Sequence, residues 1–142
     1  MKFYIGSDHA GINIKPQVIK ILESWGHKVE DLGCDSSDRV DYPDFAHKVC
    51  KSVLKNEDTQ GILICGTGIG MSMTANRYKG IRAALCHDAY TAGITRNHND
   101  ANVLCFGERV VGMGVVESML KAWCENSFEG GRHICRVGKI EN

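Results

Sequence analysis

The alternation of short apolar runs with helical patterns constrains the fold of this chain more than any other feature. Five runs rich in branched apolar residues are each followed by a segment whose apolar side chains recur at helical spacing. This alternation predicts an α/β fold, a doubly wound five-stranded parallel sheet in a Rossmann-like three-layer sandwich. The predicted strands are residues 2–7, 28–31, 61–65, 81–86 and 102–106.

The helices between these strands are predicted from their apolar stripes. The first stripe runs from Ile14 to Trp25, and Leu54 lies on the inward face of the second. The third helix begins in a glycine-rich loop and carries Met71 and Met73. The second, fourth and fifth helices are predicted at about residues 44–55, 88–95 and 113–126.

For five such units the common sheet order is 2-1-3-4-5, which places a topological switch between strands one and three. Ligands bind at the carboxyl ends of strands that flank such a switch. Two loops are therefore singled out, residues 7–11 after strand one and residues 65–70 after strand three. These loops carry the densest concentration of reactive side chains and glycines in the chain.

The length and charge of the chain exclude several classes of function. Its 142 residues fit one domain, 1–142, and we place no internal boundary. Lys plus Arg equals Asp plus Glu at 17 each, so no overall field attracts nucleic acid or an anionic membrane. No apolar run approaches the roughly 18 residues that span a bilayer. Residues 130–142 form a basic tail that, taken alone, is typical of a solvated and partly frayed terminus.

Cysteine usage points to a reducing compartment. The seven cysteines are an odd number, and the two nearest in sequence, Cys124 and Cys135, are eleven residues apart. This spacing gives neither a paired metal-ligand motif nor an obvious disulfide framework. We therefore expect a soluble cytoplasmic protein with free thiols, most of them buried and inert.

The loop Cys65-Gly66-Thr67-Gly68-Ile69-Gly70 combines a thiol with a glycine-rich turn at the start of a helix. Backbone N–H groups at such a position bind anions and favour thiolates. Cys65 is therefore a candidate general base or nucleophile, and the adjacent amides are a candidate site for an enolate oxygen. A strand-to-helix turn with a buried, inert cysteine remains the simpler alternative.

Nucleotide-binding motifs match this loop poorly. The glycines follow the third strand instead of the first, Met71 stands where a further glycine is needed, and no Gly-Lys-Ser or Gly-Lys-Thr follows. A flavin- or nucleotide-binding module of the same fold stays open, with Ser7 and Thr67 as phosphate contacts. Such a module would leave Cys65 and His98 without a role.

Seven short motifs extend from one end of the chain to the other: GSDHAG at 6–11, DYP at 41–43, CGTGIG at 65–70, AN at 75–76, GIRA at 80–83, RNHNDAN at 96–102 and EGGRH at 129–133. Together they resemble type B ribose-5-phosphate isomerase. The resemblance implies interconversion of ribose 5-phosphate and ribulose 5-phosphate. The wider family includes galactose-6-phosphate isomerases, so the choice between five- and six-carbon sugar phosphates stays open.

The resemblance assigns catalytic roles to matching residues. Cys65 would take the proton from C2 of the open-chain aldose and return it to C1 through a cis-enediolate, while Thr67 would move the proton between O1 and O2. His98 would assist opening of the furanose ring. Asn99 would stabilise the enediolate together with the loop amides, which belong to Gly66, Thr67, Gly68, Ile69 and Gly70.

The resemblance also assigns the binding residues and implies no metal or organic cofactor. Asp8 and Tyr42 would contact sugar hydroxyls. The phosphate would be held by His9, Arg109, Arg132 and Arg136, since guanidinium groups suit its oxygen geometry. Some relatives carry serine at the position of Cys65 and glutamate at that of Met71, so this chain resembles the thiol-base branch.

The predicted positions of His98 and Asn99 imply a second subunit. Both residues come just before strand five, at the end of the sheet opposite the catalytic loops, and a five-residue strand spans about 17 Å. We therefore predict an isologous homodimer whose two active sites lie at the interface. The shared, dimeric sites of the family that the chain resembles agree with this prediction.

Overall fold

Helices cover both faces of a five-stranded parallel sheet in the computed structural model, which describes residues 1–141. The strands are β1 (Lys2–Ser7), β2 (Lys28–Asp31), β3 (Thr59–Cys65), β4 (Ala83–Leu85) and β5 (Val103–Gly107). The helices are α1 (Lys15–Ser24), α2 (Tyr42–Lys55), α3 (Ile69–Ala75), α4 (Ala89–Asn99), α5 (Met113–Glu125) and α6 (His133–Gly138), with a single 3₁₀ turn at His9–Gly11. The predicted α/β class is confirmed.

The strand order is β2-β1-β3-β5-β4, so the predicted order 2-1-3-4-5 is wrong at its end. β5 pairs with β3 from Gly61 opposite Val103 to Cys65 opposite Gly107, and β4 pairs with β5. All five residues of β5 are buried, whereas the three residues of β4 are half-buried. A strand covered on both faces belongs inside the sheet, and a short, partly exposed strand belongs at its edge.

The core consists of two apolar layers, one on each face of the sheet. Side chains of α1, α4 and α5 pack on one face, with Val18, Met119 and Trp123 buried among them. Side chains of α2 and α3 pack on the other face, with Val49 and Met71 buried. These two layers and the sheet make the three-layer sandwich that the periodicity predicts.

Three residues expected on inward faces are exposed: Trp25, Leu54 and Met73. Trp25 lies outside the core because α1 ends at Ser24 and the chain turns away at the next residue. Leu54 lies in the last turn of α2, where the neighbouring Val53 is the residue packed against β3, so Leu54 faces away from the sheet. Met73 is 64% exposed on the outer side of α3.

The end of α4 and the C-terminal tail both differ from the prediction. α4 continues past the predicted end at residue 95, so His98 and Asn99 form its last turn. Asp100, in a left-handed conformation with φ 49°, ends the helix. The tail is not frayed at residues 133–138, where α6 buries His133 and exposes Cys135, a thiol that was expected to be buried.

Within residues 1–141, no helix is both long enough and apolar enough to cross a bilayer.

Candidate active site

A cleft of about 440 Å³ opens at the carboxyl ends of β1 and β3. The predicted switch between these strands is real, because β1 pairs with β2 on one side and with β3 on the other. The loops after β1, β3 and β5 and the start of α2 form the walls. The residues that line this Cys65 cleft are Asp8, His9, Ala10, Tyr42, Cys65, Gly66, Thr67, Ile69, Gly70, Met73 and Arg109.

Cys65 is the last residue of β3, and its sulfur is held by the loop that follows. The Gly68 N–H donates to Cys65 Sγ at 3.0 Å, and the thiol is only 5% exposed. Gly68 has φ +80°, and a Cβ there would lie 2.7 to 2.8 Å from Leu85 and the backbone of Phe106. The positive φ and the lack of space for a side chain both require glycine at residue 68. The Gly68 N–H is thereby held against the Cys65 sulfur.

Thr67 is engaged by the same turn. The Ile69 N–H donates to Thr67 Oγ1 at 3.2 Å. Two amides of the loop, those of Gly68 and Ile69, thus already have acceptors within the loop. The sequence predicted that all five loop amides could donate to an anion. With Gly68 and Ile69 engaged, the candidates that remain are the amides of Gly66, Thr67 and Gly70.

Tyr42 forms the wall opposite the thiol. It is the first residue of α2, where Pro43 favours the start of a helix. Its ring lies so close to Gly70 that a Cβ there would be 2.5 Å from Cε2 and Cζ. The absence of a side chain at residue 70 therefore brings the tyrosine hydroxyl to the edge of the cleft.

Asp8 and His9 follow β1 directly. Asp8 is 6% exposed, and its Oδ1 accepts from the Ala10 N–H at 2.9 Å, which caps the 3₁₀ turn. His9 Nδ1 accepts from the Val40 N–H at 3.2 Å. The Ser7 hydroxyl is fully buried, so the nucleotide-binding alternative loses one of its two phosphate contacts.

Arg109 reaches the cleft of its own chain. The Glu108 N–H donates to the Cys65 carbonyl at 2.9 Å, and the Arg109 N–H donates to the Gly66 carbonyl at 3.1 Å. The Glu108 carboxylate accepts from the Ile14 N–H at 2.8 Å and anchors this loop to the start of α1. Arg109 therefore stands beside the loop 65–70 and places a cation at the edge of the cleft.

Four predicted site residues lie outside the Cys65 cleft of the same chain: His98, Asn99, Arg132 and Arg136. His98 and Asn99 precede Val103, which pairs with Gly61, four residues before Cys65. At about 3.3 Å per residue, the start of β5, which follows His98 and Asn99, lies roughly 13 Å from Cys65 along the strands. Asn99 lines a different hollow, with Arg82 and Ile140.

His98 belongs to a second group, the His98 cluster, formed with Glu129 and His133. The rings of His98 and His133 are stacked with centroids 4.2 Å apart. Glu129 Oε2 lies 3.9 Å from His98 Nε2 and 3.6 Å from His133 Nε2. Burial and the nearby Arg132 and His98 lower the pKa of His133, and Glu129 opposes this shift.

Sequence reasoning did not assign roles to Glu129 or Glu108, and it left His133 undecided. Glu129 and His133 are spaced i, i+4 across the turn that begins α6, so their contact was readable in the motif EGGRH at 129–133. The role of Glu108 depends on a contact with Ile14, 94 residues away, and no local pattern signals it.

Four other thiols lie in surroundings that disfavour the thiolate. Burial raises the pKa of Cys50 to about 12, and that of Cys86 and of Cys124 to about 11. Burial also raises the pKa of Cys105. These four thiols stay protonated at neutral pH, as predicted for inert cysteines.

Known proteins resemble this chain over its whole length. The sequence profile of the Ribose/Galactose Isomerase family matches residues 3–140. Ribose-5-phosphate isomerase B of Escherichia coli is 45% identical, covering 98% of this chain and 93% of its own.

Solved structures agree with the sequence comparison. Ribose-5-phosphate isomerase B of Clostridium thermocellum superposes with a TM-score of 0.95 at 49% identity, over 99% of this chain and 95% of its own. The ribose 5-phosphate isomerase of Thermotoga maritima gives a TM-score of 0.95 at 46% identity, over 99% of this chain and 97% of its own. The chain therefore belongs to the ribose/galactose isomerase family and is an isomerase by that membership.

Proposed function

We propose that this chain interconverts D-ribose 5-phosphate and D-ribulose 5-phosphate by proton transfer through a cis-enediolate, with Cys65 as the general base. The observation that carries the proposal is the arrangement of one loop. Its thiol, a threonine hydroxyl and free backbone amides meet at the edge of a cleft that also holds Arg109. The E. coli relative is named ribose-5-phosphate isomerase B, which favours this sugar phosphate.

In this mechanism Cys65 removes the proton from C2 of the open-chain sugar and returns it to C1. The Gly68 N–H that donates to the sulfur stabilises negative charge there before the transfer. The enediolate that forms carries its charge on oxygen, where the amides of Gly66 and Gly70 can donate to it. Base and anion site are then a few residues apart on one rigid turn.

Thr67 moves the second proton, between O1 and O2. Its Oγ1 accepts from the Ile69 N–H at 3.2 Å, which orients the hydroxyl and leaves its own proton and another lone pair for the substrate. A group that both donates and accepts is what this transfer requires.

The binding residues divide between the two ends of the sugar. Asp8 and Tyr42 contact hydroxyls, and His9 and Arg109 hold the phosphate. Asp8 has one carboxylate oxygen committed to Ala10, so the other is left for a sugar hydroxyl.

A second copy of the chain completes the site in this proposal. His98 for ring opening, Asn99 for the enediolate, and Arg132 and Arg136 for the phosphate come from the partner in a homodimer with two shared sites. Exposed apolar side chains beside both parts support an interface. Ile69 and Met73 flank the cleft, and Ile134 follows His133 of the His98 cluster.

Six-carbon substrates such as allose or galactose 6-phosphate are the second candidate, because the family name covers galactose as well as ribose. A coupled assay that compares kcat/KM for five- and six-carbon aldose phosphates separates the two. The proposal expects the higher value with ribose 5-phosphate, and a higher value with a hexose phosphate would reassign the substrate.

The Cys65→Ala variant tests the base. We expect a folded protein that still binds ribose 5-phosphate, with kcat lower by roughly 10²- to 10⁴-fold, the usual contribution of a positioned acid–base group. Turnover is measured with the coupled assay and binding by thermal shift.

The matched control is Cys124→Ala, which removes a half-buried thiol of raised pKa on α5. Its kcat should remain within about twofold of the parent. Near-normal turnover of Cys65→Ala would refute the base assignment. Stabilisation by ATP or flavin mononucleotide, with none by ribose 5-phosphate, would favour a non-catalytic nucleotide-binding module instead.

A further inference from the structure

The His98 cluster offers three atoms of the kind that bind transition metals. His98 Nε2, His133 Nε2 and a Glu129 carboxylate oxygen all lie within 4.8 Å of one another. Imidazole nitrogen and carboxylate oxygen are ordinary ligands of zinc and nickel. Because the three residues come from the end of α4, the turn before α6 and the start of α6, the fold itself assembles the group.

An independent feature of the cluster is an unsatisfied nitrogen. His133 is 4% exposed, and within residues 1–141 its buried Nε2 has no hydrogen-bond partner. A buried polar atom without a partner is costly, so it calls for an explanation such as an unseen ion. This nitrogen lies 3.6 Å from Glu129 Oε2, too far for a good hydrogen bond.

That distance is close to the separation of two ligands on one metal ion. Ligand bonds of about 2.0 to 2.2 Å at tetrahedral angles place neighbouring donor atoms roughly 3.4 Å apart. The separations from Glu129 Oε2 to the two histidine nitrogens, 3.6 and 3.9 Å, are close to this value. The stacked rings of His98 and His133 must also turn so that their in-plane lone pairs converge on the ion.

We propose that His98, Glu129 and His133 form a binding site for a transition-metal dication of the zinc or nickel type, and that the bound ion inhibits the enzyme by occupying His98 Nε2. Three protein ligands leave a coordination position for water or for an oxygen of a bound molecule. The ion is an inhibitor in this proposal and takes no part in proton transfer. Only the inhibitory consequence rests on the proposed function, since metal binding follows from the three side chains.

Backbone hydrogen bonds fix the segments that carry the ligands. The Glu129 N–H donates to the Asn97 carbonyl at 3.0 Å, which ties the turn to the last turn of α4 beside His98. The His133 N–H donates to the Gly130 carbonyl at 3.0 Å and closes the start of α6. Such preorganisation lowers the cost of binding.

Charge sets a limit on the affinity. Arg132 and Arg136 lie near enough to influence His133, and they oppose a dication, while the Glu129 carboxylate attracts it. Loss of that carboxylate should therefore weaken binding in two ways, by removing a ligand and by leaving the positive charge unopposed.

Calorimetric titration of the full chain with Ni²⁺ tests the site. Nickel is preferred as the probe because softer ions also bind thiolates, and all seven cysteines are free, with Cys135 exposed. We expect one ion per chain in the parent and binding weakened at least about tenfold in Glu129→Gln, which keeps the size of the side chain. The matched control is Glu117→Gln, which removes an exposed carboxylate of α5 and should bind Ni²⁺ as the parent does.

The same three proteins give the inhibition test. The ratio of turnover without Ni²⁺ to turnover with Ni²⁺ should be large for the parent and for Glu117→Gln and close to one for Glu129→Gln. No binding to the parent, or equal binding to the parent and Glu129→Gln, would overturn the site. Binding that Glu129→Gln abolishes, without any effect on turnover, would overturn the inhibition alone. Lack of isomerase activity in metal-free protein would count against the proposed function and leave the titration interpretable.

Discussion

At the scale of single residues, close backbone contacts shape the catalytic loop. Gly107 ends β5 beside the loop that follows β3, and a Cβ there would lie 2.5 Å from the Gly66 carbonyl oxygen and from Thr67 backbone atoms. The loop can therefore pack against the end of β5 only because residue 107 has no side chain. The positions of Cys65 and Thr67 depend on this contact.

The substitution Gly107→Ala should displace the catalytic loop. We expect the free energy of unfolding to fall by about 1–3 kcal/mol, as for other overpacked sites. A loop displaced far enough to relieve these 2.5 Å contacts also misplaces the proposed base, so kcat should fall more than this loss of stability explains. Urea denaturation and steady-state kinetics measure the two effects.

Gly114→Ala is the control for this prediction. A Cβ at residue 114 meets nothing within 4 Å, and the residue is the second of α5. In this first turn alanine should raise the free energy of unfolding by at most about 0.5 kcal/mol and leave kcat unchanged. Equal kinetics for the two variants would show that the packing of Gly107 does not position the loop.

The candidate residues of the cleft were largely readable from the sequence. Cys65 stands out because it ends an apolar run and precedes glycines, and the structure places it in the cleft with Thr67 and Tyr42. The hydrogen bonds that commit the Gly68 and Ile69 amides within the loop were not readable. They depend on the φ angle of Gly68 and on the rotamers of two side chains, which no residue pattern encodes.

At the scale of elements, a buried lysine joins α1 to the end of β2. Lys15 is 2% exposed, and its ammonium donates to Asp31 Oδ1 at 2.8 Å and to the Cys34 carbonyl. Asp31 Oδ1 also accepts from the Gly33 N–H at 2.9 Å. One carboxylate therefore holds the first helix, the second strand and the following loop together.

Asp31→Ala should lower the free energy of unfolding by about 1–3 kcal/mol, because it leaves a buried ammonium without its carboxylate. Asp31 itself is 40% exposed, which keeps the loss below that of a fully buried pair. Glu30→Ala is the matched control, since its pair with Lys2 is exposed and its loss should be clearly smaller. Urea denaturation of both variants makes the comparison, and equal losses would contradict the role of the buried pair.

The bounds of most elements followed from periodicity, whereas the order of the last two strands did not. The runs at 81–86 and 102–106 look similarly apolar, and either could continue the sheet beside β3. The order follows from which strand is covered on both faces, and that depends on packing between segments far apart in sequence. Local patterns carry no record of such packing.

At the scale of the whole molecule, the candidate machinery is divided between two places. The Cys65 cleft holds the proposed base and one arginine, while the His98 cluster and its neighbouring arginines lie toward the opposite end of the sheet. In the proposed isologous dimer, the Cys65 cleft of one chain would face the His98 cluster of its partner. The division was foreseeable from the position of His98 just before the fifth strand.

Mixing two inactive variants tests this arrangement. Cys65→Ala and His98→Asn chains, each inactive as homodimers, should regain activity when unfolded together and refolded. A mixed dimer has one site with both native residues, and random pairing makes half of the dimers mixed, so activity should reach about a quarter of the parent value. The single variants refolded alone are the controls, and a mixture no more active than they are would place both residues of a site on one chain.

One hydrogen bond of the cleft bears on how an anion is received. Because the Val40 N–H occupies His9 Nδ1, the neutral ring carries its proton on Nε2. His9 can therefore offer that proton to an anionic oxygen as an uncharged donor, and the segment that holds Val40 sets which ring nitrogen faces the ligand.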